Sequence, residues 1–176
     1  MKKFLILLLS SLMLAGCSMA EDLDNTPTKK VENYLNKYQE MDEDVIGDLD
    51  DIIDFGNDNN DEYKDIIKSN YQKMTYKVKN EEIDGDNAVV TVEIDVIDYT
   101  KGLDEIDNYY NENSNEFNDD NSFDKYRLDK FKEIKDKTTY TIDFTLTRIN
   151  KKWNLDNPTS DIRNKISGMY KWKKAC

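Results

Sequence analysis

Apolar residues recur along this chain with two different periods, and the switch between them divides it. From Thr26 onward Val31, Tyr34, Leu35, Tyr38 and Met41 fall three or four positions apart, the spacing of one helical face. Thr26-Pro27 opens that face. Threonine accepts a bond from an early helical amide, and proline lacks an amide that would be orphaned anyway. A less regular helical stretch carries Val45, Leu49, Ile52 and Ile53 and ends near "DFGNDNNDE". A third carries Tyr63, Ile66 and Ile67, with Met74 beyond it.

The period then drops to two. In "TYKVKNEEIDGDNAVVTVEIDVIDY" Tyr76 and Val78 alternate with lysines, and Asp84-Gly85 predicts the turn of a hairpin. Val90, Val92, Ile94 and Val96 share one strand face, and Thr91, Glu93 and Asp95 share the other. A second alternating run sets Tyr140, Ile142, Phe144 and Leu146 inward against Thr141, Asp143, Thr145 and Thr147, before "NKKWNLDN" brings Trp153 and Leu155. This phase predicts that Val92, Ile94, Ile142, Phe144 and Trp153 are buried, and that Glu93, Asp95, Asp143 and Thr145 are exposed.

Between the alternating runs, Lys101 to Lys135 reads as helical at both ends, through Leu103, Ile106 and Tyr110 and then Phe123, Leu128, Phe131 and Ile134. Its middle, "NENSNEFNDDNS" at 111–122, holds five asparagines, four acids, two serines and one phenylalanine. Asparagine, aspartate and serine bond their own backbone in non-helical conformations, and one apolar residue buries little surface, so a mobile, solvated excursion is expected there. After Pro158 a last short helix is expected, with Ser160 as its cap and Gly168 as its stop. Helices first, then two hairpins separated by more helix, is the order of an α+β domain. The expected fold is a single α+β domain over residues 26–170, with N-terminal helices packed on a curved antiparallel sheet.

The pattern before Thr26 is of another kind. Lys2 and Lys3 precede the apolar run "FLILLLSSLMLA", Phe4 to Ala15. As helix, its length is only about 18 Å, short of the roughly 30 Å core of a bilayer. A charged start, a short apolar run and small residues at its end describe a secretory signal over residues 1–16. That signal closes on Leu14-Ala15-Gly16-Cys17. This resembles the lipobox of bacterial lipoproteins, in which leucine, a small residue and glycine or alanine lead to cysteine. The resemblance implies that the Cys17 thiol takes a diacylglycerol by thioether linkage. A lipoprotein signal peptidase then leaves Cys17 as the new N-terminus, open to a further acyl chain such as palmitate. Each buried methylene contributes about 0.8 kcal/mol, so two chains hold firmly where one exchanges. Residues 17–25 would then be the acylated terminus and a polar tether, too short to carry the domain far from the membrane.

Charge narrows the partners. The chain has 37 acidic and 25 basic side chains, a formal charge of −12, and loss of residues 1–16 with two lysines would bring this to −14. Such a surface repels nucleic acid and attracts cations and basic proteins. Lysine outnumbers arginine 22 to 3 beside abundant asparagine and isoleucine, a bias that suggests an AT-rich, Gram-positive source. With Cys17 acylated, Cys176 has no partner inside the chain; it stands as an exposed thiol or as half of an intermolecular disulfide. Histidine is absent, which removes serine–histidine and cysteine–histidine catalysis and histidine-ligated zinc.

Three blocks, "TPTKKVENYLNKYQEMD", "YKVKNEEIDGDNAVVTVEIDVIDY" and "TIDFTLTRINKKWNLDN", resemble successive parts of small bacterial lipoproteins of unknown function. Those proteins carry a domain similar to nuclear transport factor 2, also called cystatin-like. The resemblance spans about Thr26 to Gly168, leaves out the Asn/Asp-rich stretch at 111–121, and implies a cone of helices on a curved sheet. Such a cone can hold a pocket, and aspartate with tyrosine can catalyse without histidine. The strand phase, however, turns Glu93, Asp95 and Asp143 away from the interior, so no catalytic residue is assigned. In "NDNNDEYKD" no glycine follows at the place a calcium loop requires, and counted from Asn111 position 6 is Glu116, so no metal site or cofactor is assigned. The tail "MYKWKKAC", with residues 171–176 as a basic end, leaves two readings open. Trp172 with Lys171, Lys173 and Lys174 lies on the membrane surface, or the tryptophan packs on the domain.

The expected function is a non-catalytic, lipid-anchored binding module on the extracytoplasmic face of the membrane, for a small ligand or a protein. One alternative is an acidic decoy or inhibitor that captures cationic proteins or peptides. A second is a histidine-free pocket enzyme using tyrosine and aspartate.

Overall fold

A computed structural model of the chain describes residues 24–53, 55 and 59–172. The signal segment, Cys17, most of the tether and the end of the tail with Lys173, Lys174 and Cys176 lie outside the described residues. Four helical segments come first: α1 Pro27–Glu40, the single turns α2 Glu43–Ile46 and α3 Leu49–Ile52, and α4 Asn60–Tyr71. Strands β1 Thr75–Asp84 and β2 Asn87–Ile97 follow, then helices α5 Tyr99–Asn113 and α6 Asp120–Glu133. Strands β3 Lys137–Ile149 and β4 Lys152–Leu155 and helix α7 Ser160–Ser167 complete the order. The strands form one open antiparallel sheet in the order β1-β2-β3-β4. The fold is α+β, with helices covering one sheet face.

Alternation sets the phase of this sheet, as expected from the sequence. Val90 stands opposite Phe144, Val92 opposite Ile142 and Ala88 opposite Leu146, all buried on the inner face. Burying such a side chain contributes about 1.5–3 kcal/mol, whereas an exposed polar pair contributes tenths, so the inner face dictates the register. Helix α1 lies over it. Val31, Leu35 and Tyr38 are buried, and Tyr34 meets the Phe144 ring edge-on at 5.9 Å. Thr26 caps α1 by accepting from the Lys29 amide, and Asn25 ties its start to the β3–β4 turn. The Asn25 amide donates to the Lys151 carbonyl at 2.9 Å, and its Oδ1 accepts from the Trp153 amide at 2.9 Å. Asn150 and Lys151 both have positive φ, as a two-residue hairpin requires.

Several expectations need correction. Asp143 and Thr145 are exposed, but Glu93 and Asp95 are half-buried because Lys79 and Thr139 lean over them. Tyr140 is half-buried, its inner side taken by the Tyr170 ring. The cap of α7 is Thr159 rather than Ser160, which is the first helical residue. Gly168 does stop α7, with φ of 76°, and a methyl group there would lie 2.0 Å from the Ile97 carbonyl oxygen. The backbone of Gly168 must come this close because its own carbonyl accepts the amides of Tyr99 and Thr100.

The larger correction falls on residues 111–122. Helix α5 runs to Asn113, a 3₁₀ turn covers Ser114–Glu116, and Asp119 with Ser122 forms a reciprocal capping box at the start of α6. Phe117, the one apolar residue of the stretch, is half-buried, while most of its neighbours there are exposed. It packs against Tyr110, Phe123 and Tyr126 with ring centroids 5.3–5.5 Å apart. Ser114 and Asn115 are used here in the 3₁₀ turn and Ser122 in the cap of α6, while Asn111 and Asn113 fall in the last turn of α5. At the other end of the chain, Trp172 is half-buried and its ring lies 4.9 Å from Phe55. Of the two readings for the tail, packing on the domain is the one seen for Trp172.

Candidate functional site

The acids singled out on the strands do not form a site. Asp143 accepts from Thr91 Oγ1 at 2.6 Å, Asp95 accepts from Thr139 and Thr75, and Glu93 pairs with Lys79 at 2.9 Å. They make a polar ladder across the outer face, each group satisfied by a neighbour. The acids of the run around α2 and α3 are similarly engaged. Asp44 pairs with Lys37 and Asp50 with Lys64, both at 2.6 Å, and each lysine holds its carboxyl below the usual range. Among the described residues no three His, Cys, Asp or Glu side chains gather as a metal-binding group.

Between the helices and the sheet stand tyrosines. The Tyr34 and Tyr38 hydroxyls are 2.9 Å apart, Tyr38 meets Tyr71 edge-on at 5.0 Å, and Asn70 Nδ2 donates to the Tyr99 hydroxyl. Burial pushes all four hydroxyls above the usual tyrosine value, so they stay protonated at neutral pH and act as neutral packing groups. Asp48, whose charge reaches Tyr34, Tyr38 and Tyr71, is drawn toward Arg163 at 3.6 Å. The space between α4, β2 and α7, lined by Tyr71 and Tyr99, measures about 10 Å³. That holds a water at most, not a substrate.

Open space lies elsewhere, in a cleft of about 360 Å³ between α5 and α6. Its floor is Ile106 and Ile134, and Gly102 at one end lets Ile134 pack directly against the α5 backbone. A methyl group on Gly102 would come 2.4 Å from Ile134 Cδ1. Its aromatic wall is Tyr109 stacked on Tyr126 at 5.3 Å, with the Tyr109 hydroxyl donating to Glu116 at 2.8 Å. The rim alternates in charge. Lys101 pairs with Asp136 at 2.6 Å and stands 3.8 Å from Glu105, while Lys130 pairs with Glu133 at 2.8 Å. These bonds hold the Asp136 and Glu133 carboxyls below the usual range and raise Lys101 and Lys130, so these four groups are ionised at neutral pH. The arrangement is an apolar and aromatic surface ringed by charges of both signs.

Comparison with protein-family models and with curated proteins returns no match. Among solved structures, the comparison finds a Bacillus subtilis protein, YcdA, described as a candidate lipoprotein. The two share 19% identity at a TM-score of 0.37, over 65% of this chain and 38% of that one. So loose a superposition carries neither fold nor function across.

The cleft was not singled out from the sequence, although Ile106 and Ile134 were placed on helical faces. The available signal was a glycine inside an apolar-periodic stretch, which marks a close approach. Its partner across the gap, Ile134, is 32 positions away and only the packing of α5 on α6 identifies it. Cys17, the one residue assigned a chemical role, lies outside the described residues.

Proposed function

We propose that this chain is a bacterial lipoprotein, held on the extracytoplasmic face of a Gram-positive membrane through acylated Cys17, and that its domain is a non-catalytic binding module. The observation that carries this is Leu14-Ala15-Gly16-Cys17 directly after a short apolar run, nine residues before the capped start of α1. The α+β order of helices on a four-stranded antiparallel sheet is compatible with the nuclear-transport-factor-2-like resemblance. The narrow space beside Tyr71 and Tyr99, the neutral tyrosines around it and the outward strand acids Glu93, Asp95 and Asp143 favour binding over catalysis. The cleft between α5 and α6 is the seat assigned to the ligand, suited to an aliphatic or aromatic group flanked by charge.

Labelled fatty acid fed to cells making the full chain tests the anchor. The wild type takes up label and fractionates with membranes, and Cys17→Ala does neither. Label in the mutant, or none in the wild type, defeats the assignment. Saturation-transfer NMR with aromatic and aliphatic amino-acid amides tests the seat, with signal expected from the wild type and lost in Ile134→Arg.

A further inference from the structure

The first strand has a property that its own fold does not use. β1 is an edge strand, exposed along most of its ten residues, and no described backbone group outside β2 bonds to its backbone. A long unpaired edge offers a row of amides and carbonyls to another strand. Most edges are defended by like charges, but this one carries Lys77 and Lys79 in its first half and Glu81, Glu82 and Asp84 in its second. Run against a copy of itself, the basic half meets the acidic half.

The faces agree as well, because of an irregularity. The pairing of β1 with β2 shifts between Val78, opposite Val92, and Asn80, opposite Thr91. Lys79 is the extra residue, and its side chain reaches Glu93 on the outer face at 2.9 Å. Asn80 also lies on the outer face and donates to Glu82 at 2.9 Å. Reading along the strand, Tyr76, Val78, Glu81 and Ile83 oppose inner-face residues of β2, while Thr75, Lys77, Lys79, Asn80, Glu82 and Asp84 lie with the outer ones. The bulge makes this order the same from either end. Strict alternation over ten residues would set inner against outer in a centred antiparallel self-pairing; the bulged strand matches throughout.

We infer that β1 pairs antiparallel with β1 of a second copy of this chain, about a two-fold axis between Lys79 and Asn80. In that register Lys77 opposes Glu82 of the second copy, and Thr75 opposes Asp84. Ile83, 54% exposed in the single chain, lies beside Tyr76. Glu81 needs no cation across the axis, since it already accepts the Thr28 amide and hydroxyl at 2.9 and 2.7 Å. The two sheets become one continuous sheet, an isologous contact that closes at two copies.

The test uses the full chain in detergent, followed by sedimentation velocity over a range of concentrations. A monomer–dimer equilibrium is expected. Lys77→Glu sets like charges opposite each other twice and should weaken the dimer about tenfold or more, while Lys77→Glu/Glu82→Lys restores it. In a Cys176→Ser background, Lys77→Cys/Glu82→Cys should give a dimer-mass disulfide. Within one strand these positions are about 16 Å apart and cannot bridge, so a bond between them joins two chains. All of these side chains are on the surface, and unchanged circular dichroism checks that folding is intact. A monomer at every concentration, or a dimer indifferent to the charge reversal, overturns the inference.

Discussion

Two regions of this molecule are built from similar aromatic and aliphatic residues, yet they are organised differently. At the centre of β2 and β3, Ala88, Val90 and Val92 are buried, and each stands opposite a buried apolar residue of β3. In the α5–α6 arm the apolar residues serve several neighbours at once. Phe131 stacks on Tyr99 at 4.4 Å and meets Tyr63 at 4.9 Å, while Phe123 and Tyr126, on the same helix, meet Tyr110 and Phe117. Arg127 lies between these groups, 4.5 Å over the Phe123 ring and 3.8 Å from both Asp107 and Asp124. A sheet face is a shared plane, so one period serves all its contacts. A helix wedged among several partners needs no single stripe. The sheet supplies the rigid base, and the arm supplies the open cleft.

The sharpest way to break this contrast is a pair of neighbours on β3. Phe144→Ala should cost about 3–5 kcal/mol, while Thr145→Ala should stay within about 0.5 kcal/mol, both read by urea unfolding. Equal small losses would mean the strand phase is wrong, and with it the outward placement of Asp143.

A smaller effect is expected in the arm. Phe117→Ala removes a half-buried ring from a four-ring cluster and should cost about 1–2 kcal/mol. Amide exchange sharpens the reading: protection is expected through the end of α5 and again from the capped start of α6. A silent mutation together with free exchange across 111–122 would restore the solvated excursion that composition suggests.

The smallest effect is a pH slope. Burial pushes the Asp107 carboxyl up more than Arg127 pulls it down, so the folded state holds this proton more tightly than the unfolded one. The stability it contributes is present below about pH 4 and is lost as pH rises through the folded value. Asp107→Asn should therefore flatten a shallow fall in the urea midpoint above about pH 4. The lysine-paired Asp44, Asp50, Glu133 and Asp136 act in the opposite sense, with stability lost on acidification, and should be untouched by that change. If Asp107→Asn steepened the fall, its carboxylate would be a net stabilising partner of Arg127.

The legibility of the sequence follows the same division. The α1 cap, the faces of β2 and β3, and the stop at Gly168 rest on local rules: an oxygen near a free amide, side chains alternating in a pleat, and a backbone that turns left-handed. Each is decided within a few residues, so each could be read directly. Glu93 and Asp95 were read with the correct face but too much exposure, because Lys79 and Thr139 reach them from other strands.

By itself, then, the sequence determined the class of fold and the phase of its central strands, since these depend on neighbours in the chain. Tertiary structure alone decided that Phe117 joins an aromatic cluster, that Trp172 packs on Phe55, and that Ile134 packs closely on Gly102. It alone showed the bulge at Lys79 that makes the free edge of β1 symmetric. Each of those facts depends on groups brought together from distant positions or on the register between two strands. Neither the spacing of apolar residues nor their propensities contains that distance, because it is set by how whole faces find space against one another.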